Sequence, residues 1–160
     1  MSNRAESRLI RNSPETQGVA SSVILEFINA LEDSLQEVHS FMMLKHGCVI
    51  AEAWWSPYAP TIPHTMFSLS KSFTSTAIGM AVSEGLLTVN DPVTSFFPDA
   101  LPEHVNDHIK AMQVKHLLTM STGHDEKPFP LMHRRADGNW VKGFFETPII
   151  YPPGSHFLYN

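Results

Sequence analysis

The stretch Phe67-Ser68-Leu69-Ser70-Lys71-Ser72-Phe73-Thr74 sets a serine hydroxyl and a lysine amine three residues apart at the start of a helix. Residues i and i+3 share a helix face, so Ser68 Oγ and Lys71 Nζ can meet there. Ser70 is a competing nucleophile in the same run, but its spacing to Lys71 turns the two side chains to different faces. A serine at a helix N-terminus lies near unpaired backbone N–H groups and the positive end of the helix dipole, which favour a developing oxyanion. Lysine is ordinarily protonated at neutral pH, so Lys71 can act as a base only if it is desolvated or set beside other positive charge. Two readings share this pattern: Ser68 activated by Lys71, or Ser68 as an N-cap with Lys71 as a solvated first-turn lysine.

The helix is expected from about Ser68 to Glu84, after a loop carrying Pro57, Pro60 and Pro63, with Gly85 as its C-cap. Small residues in its middle (Ser75, Thr76, Ala77, Gly79, Ala81) predict a helix buried between layers, which would desolvate Lys71. Upstream, Ser40–Lys45 and Cys48–Trp55 flank His46-Gly47 and read as a β-hairpin. Before it, Val23, Ile24, Phe27, Ile28, Leu31 and Leu35 recur at three and four residues, an amphipathic helix capped by Ser21 or Ser22. Residues 1–18 are polar, carry Pro14 and Gly18, and read as an extended arm.

Downstream, Asp91-Pro92 has the N-cap and first-position signature of a short helix ending before Pro98. Val114–Met120 reads as a short helix stopped at Ser121-Thr122-Gly123, residues 125–139 as irregular, and Trp140–Phe145 as another short helix. No repeat, low-complexity tract or linker divides residues 19–160, which are read as one domain following the arm.

The chain has 160 residues, 42% of them hydrophobic, enough for a real core. A net charge of -5 makes no basic field and argues against nucleic acid or an anionic membrane as partner, leaving a small molecule. The single cysteine, Cys48, forms no intrachain disulfide. The charged opening Met1–Arg8, with no apolar run of signal-peptide or membrane-spanning length after it, leads us to expect a cytoplasmic protein.

The helix-opening run, with Ala77-Ile78-Gly79 and Glu84-Gly85-Leu86-Leu87 after it, resembles the penicillin-recognising serine hydrolases. This superfamily includes class C β-lactamases, DD-peptidases, D-aminopeptidases, related esterases and 6-aminohexanoate-dimer hydrolases. Three more segments fit in order: Asn90-Asp91-Pro92-Val93, Val114-Lys115-His116-Leu117-Leu118-Thr119-Met120-Ser121-Thr122-Gly123, and Pro153-Gly154-Ser155-His156-Phe157-Leu158-Tyr159-Asn160. The resemblance spans about residue 20 to the last residue, and four motifs in order are far more specific than any one.

It implies an α/β (α+β) fold of the β-lactamase/transpeptidase type, with an antiparallel sheet and a helical subdomain at about 70–150. It implies that Ser68 is the acylated nucleophile, Lys71 its base and Tyr159 a proton carrier between nucleophile and leaving group. Asn160 would help bind substrate. The implied reaction is cofactor-free hydrolysis of an ester, an amide or a β-lactam-like bond through an acyl-serine, with Tyr159 or Lys71 activating the water. The rival is a non-catalytic penicillin-binding-like sensor or binding module.

The family's third element, a Lys-Thr-Gly or His-x-Gly strand, is absent from the sequence, and Ser121-Thr122-Gly123 does not stand in for it. The expectation is therefore that these residues are the front part of a longer enzyme, inactive alone, whose hairpin shows a bare edge and an uncovered face.

His64 and His156 flank the catalytic motifs and either line the pocket or pack. His104 and His108, four apart beside Glu103 and Asp107, read as a solvated helix face rather than a metal site, and no metal is expected. Trp54, Trp55 and Tyr58 read as core or rim aromatics. Oligomeric state leaves no signature in this sequence.

Overall fold

Both residues of the hairpin turn, His46 and Gly47, have positive φ, 52° and 76°. That is the left-handed pair a two-residue connection needs to match strand twist. In the computed structural model, which describes residues 9–34 and 37–160, this turn joins β2 (Ser40–Lys45) to β3 (Cys48–Trp54). The described residues fall into two compact units, Met1–Met66 and Phe67–Asn160.

In the first unit a short strand, β1 (Ile10–Arg11), pairs in parallel with Cys48 and Val49, giving the order β1-β3-β2. The arm thus contributes a strand, and the expected bare edge of β3 is met over those two residues. Two residues carry too little alternation to be read as a strand from sequence. Arg11 secures the strand by donating from Nε and Nη2 to Glu52 at 2.7 and 3.0 Å. A bulge between Met43 and Leu44 leaves Ile50 unpaired, so the consecutive residues Val49 and Ile50 are both buried. The outer residues Met42 and Leu44 of β2 stay exposed, in keeping with the expected uncovered face.

Helix α1 (Ser21–Glu32) is shorter than its apolar pattern suggests, and Leu35 lies outside the described residues, as do residues 1–8. Neither Ser21 nor Ser22 caps it. Ala20 is the N-cap, and the Glu15 carboxylate accepts both the backbone N–H and the hydroxyl of Ser21. A carboxylate from the preceding turn takes the place of a local serine and holds its own pKa below the usual value, mainly through the Ser21 hydroxyl.

The second unit opens with a 3-10 turn (Phe67–Leu69) running into α2 (Ser70–Ser83). Gly85, at φ 71°, closes α2 by donating to Val82, while Leu86 donates to Ala81. This pair of bonds is the Schellman ending that only a left-handed residue allows. Contrary to expectation, α2 has no buried residue, and Phe73 and Met80 are exposed.

Asp91 is not an N-cap. Its carboxylate accepts from the Thr88 hydroxyl and N–H, and Pro92 begins the 3-10 turn Val93–Phe96. Helices α3 (Asp107–Ala111), α4 (Val114–Leu118), α5 (Phe129–Arg134) and α6 (Trp140–Glu146) follow. Residues 125–139, read as irregular, hold α5, which packs on α6 so closely that a Cβ on Gly143 would meet Met132 Cα at 2.8 Å. His104 lies outside α3, so it and His108 do not share one helix face. The core joins Val93, Ile109, Met112, Phe145 and Ile149. Two of the quoted motifs are zipped together: Val93 donates to Met112, Val114 to Asp91 and Lys115 to Val89. No helix among the described residues is long and apolar enough to cross a membrane.

Candidate active site

Phe67, which precedes the serine, has φ 43° and is 82% exposed. A bulky residue at positive φ is a strained conformation. It turns the chain so that Ser68 sits in the 3-10 turn that feeds α2. No side chain caps α2, so Ser68 is not its N-cap. Instead Ser68 Oγ lies 3.5 Å from Lys71 Nζ, a long contact, and accepts a hydrogen bond from the Tyr159 hydroxyl. Lys71 Nζ also stands over the Tyr159 ring, 5.2 Å from its centroid. Ser68, Lys71 and Tyr159 thus converge, although Tyr159 is 91 positions from Ser68.

Lys71 is exposed, where desolvation was expected. It shares this with the rest of α2, which buries no residue. Tyr159 is 45% exposed.

What places Tyr159 is a ladder of backbone bonds to the segment after α4. Met120, itself at φ 52°, accepts from Leu158; Ser121 accepts from Gly154; Gly123 accepts from Ile150 and Tyr151. Gly123 has φ 90°, and a Cβ there would lie 2.1 Å from the Tyr151 carbonyl oxygen. Only glycine fits. Ser121-Thr122-Gly123 therefore works as the dock for the run ending in Tyr159, a role that reading it as a helix stop missed. Its left-handed glycine was the available signal.

Beneath this dock His124 is 1% exposed, with Nδ1 2.7 Å from the Thr122 hydroxyl and Nε2 3.2 Å from the Phe144 carbonyl. Burial pushes its pKa below the ordinary imidazole value, and the bond to Phe144 offsets this in part. Sequence reasoning did not single it out.

Asn160 and Lys71 both line a cavity of about 300 Å³, together with Ser75, Ile78, Leu118 and Phe144. His156 stacks on Tyr151, with ring centroids 4.4 Å apart. His64 belongs to the first unit, where its Nε2 is 2.6 Å from His39 Nδ1 and its Nδ1 is 2.9 Å from the Thr65 carbonyl. No group of three or more His, Cys, Asp or Glu suited to a metal occurs among the described residues.

A family model, Beta-lactamase, matches residues 9–160. A 6-aminohexanoate-dimer hydrolase from Paenarthrobacter ureafaciens is 34% identical over 86 residues, which are 52% of this chain and 22% of that protein. A solved Bacillus anthracis structure, provisionally assigned as a 6-aminohexanoate-dimer hydrolase, matches with a TM-score of 0.62 at 19% identity, over 83% of this chain and 38% of that one. The chain spans well under half the length of either, and the structural likeness speaks for the fold alone.

Proposed function

The chain belongs to the β-lactamase family, within the penicillin-recognising serine hydrolases, and from that premise we propose that it hydrolyses an ester or amide through an acyl-serine on Ser68. The observation that carries this reading is the convergence of Lys71 Nζ and the Tyr159 hydroxyl on Ser68 Oγ.

In this account Ser68 Oγ attacks the substrate carbonyl while its proton passes to neutral Lys71, and the C–O or C–N bond to the leaving group breaks. Tyr159 carries a proton to the departing atom, and its hydrogen bond to Ser68 Oγ is the contact it uses. Backbone N–H groups at the uncapped start of α2 support the oxyanion. Water, activated by Lys71 or Tyr159, then releases the acid. Because Lys71 is exposed, the bound substrate must displace water from it before it can serve as a base.

Likeness to 6-aminohexanoate-dimer hydrolases supports an amide between small units as one substrate class. No cofactor takes part, and the site of action is the cytoplasm, which cell fractionation would check. The matched relatives are longer than this chain, and the Lys-Thr-Gly or His-x-Gly element is absent from its sequence. We therefore expect the 160 residues alone to show no hydrolase turnover, and a longer chain to show it. The test is labelling with a fluorescent fluorophosphonate. Ser68-dependent labelling, lost in Ser68→Ala, supports the reading; unchanged labelling of Ser68→Ala refutes it.

A further inference from the structure

A cavity lined by Lys71, whose Nζ is 3.5 Å from Ser68 Oγ, runs along one face of α2. Lys71, Thr74, Ser75 and Ile78 line it at successive turns, with Leu118 and Phe144 across from them. At 1.5 Å of rise per residue, the distance from Lys71 to Ile78 is roughly 10 Å. With C–C bonds of about 1.5 Å, that is the length of an extended chain of roughly eight carbons.

The chemistry of the lining is uneven. Lys71, Asn160 and the hydroxyls of Thr74, Ser75 and Thr122 supply polar groups, while Ile78, Val114, Leu117, Leu118, Phe144 and Leu158 are apolar. No aspartate or glutamate lines the cavity. A cationic group carried inside would lose its hydration and meet Lys71 as its only charged neighbour. An uncharged aliphatic or aromatic group would gain by burial against these walls.

Resting on the acyl-serine reading above, we infer that this cavity receives the acyl group of the substrate. That group is uncharged and apolar, about four to eight carbons long, and reaches along α2 from Lys71 toward Ile78. An ammonium-terminated acyl group such as 6-aminohexanoyl is disfavoured. In the acylation step the bond from Ser68 Oγ to the acyl carbon forms, the serine proton moves to Lys71, the ester C–O bond breaks, and the leaving group departs as a phenolate or as an alcohol that takes its proton from Tyr159.

The test uses p-nitrophenyl acetate, butyrate, hexanoate, octanoate and dodecanoate, with p-nitrophenyl 6-aminohexanoate beside them. The nitrophenolate burst reports acylation even where deacylation is slow. The expected result is an acylation rate that rises tenfold or more from acetate to hexanoate or octanoate and falls for dodecanoate. The 6-aminohexanoyl ester should react at least tenfold slower than the hexanoyl ester. Ile78→Trp should lower the octanoyl-to-acetyl rate ratio at least fivefold; should that variant not fold, the ester series on the unaltered chain decides alone. Ser68 acylation at rates indifferent to chain length and terminal charge would overturn the cavity assignment and leave the acyl-serine reading standing. Failure of every ester to acylate Ser68 would overturn both.

Discussion

Leu158 donates its backbone N–H to the carbonyl of Met120 at 3.0 Å, and through this bond a residue two past the end of α4 sets where Tyr159 stands. The tyrosine approaches Ser68 because its neighbour is tied to a left-handed turn, while its own ring remains half open to solvent. Positioning here is done by backbone bonds, which the left-handed Gly123 makes possible.

Gly123→Ala is the sharpest test of that dock. A Cβ at this position meets the Tyr151 oxygen at 2.1 Å, and φ is 90°. The strain alone costs roughly 1–3 kcal/mol, and relief of the clash must push residues 150–151 away. We expect a lower urea midpoint together with at least tenfold slower Ser68 labelling. Full stability with unimpaired labelling would show that the ladder does not position Tyr159.

Two further glycines predict opposite signs. Gly79 lies in α2 with nothing within 4 Å of a built Cβ, whereas a Cβ on Gly143 meets Met132 Cα at 2.8 Å. Gly79→Ala should stabilise by about 0.5–1 kcal/mol through helix propensity. Gly143→Ala should destabilise by about 1–3 kcal/mol by forcing α5 from α6. Denaturant unfolding of the two variants measures both.

The proposed base and proton carrier are separable by substitution. Lys71→Ala should slow Ser68 acylation by roughly 10²–10⁴-fold, the usual range for a positioned base. Lys71→Arg should not restore it, because a guanidinium stays protonated. Tyr159→Phe should slow the reaction less with activated esters, whose leaving groups need no proton, than with amides. Stopped-flow acylation rates on both substrate types decide between these roles.

Acid should weaken the second unit through His124. Its folded pKa lies below the ordinary value of 6.5 because of burial, so the unfolded chain takes up the proton first. Stability is then complete above pH 6.5 and declines as pH falls from there toward the folded pKa. At 1.36 kcal/mol per pH unit the loss by pH 5 is at most about 2 kcal/mol. His116, whose pKa is also lowered, first by burial and then by Lys115, acts in the same direction. Urea midpoints at pH 7.5 and 5.0 should show this slope, and His124→Asn should flatten it while lowering stability overall.

Features written in contiguous patterns were legible before the structure. The hairpin around His46-Gly47, the extent of α2 with Gly85 at its end, and the helix at Trp140 each follow from local chemistry. The approach of Ser68 and Lys71 follows from their spacing of three, with Ser68 in the 3-10 turn that leads into α2. What could not be read depends on partners distant in sequence. β1 exists because β3 offers an edge at Cys48 and Val49. Glu15 replaces Ser21 as the cap of α1 by reaching across a turn. The exposure of α2, against its small-residue composition, is a matter of what lies over it, which periodicity within one helix does not encode.

The most direct measurement of the central claim is tandem mass spectrometry of the protein quenched with acid during reaction with a p-nitrophenyl ester. The account predicts one acyl group, located on Ser68 and absent from Lys71→Ala quenched at the same time. Acylation of Ser70 or of another residue, or no adduct at all, would contradict it.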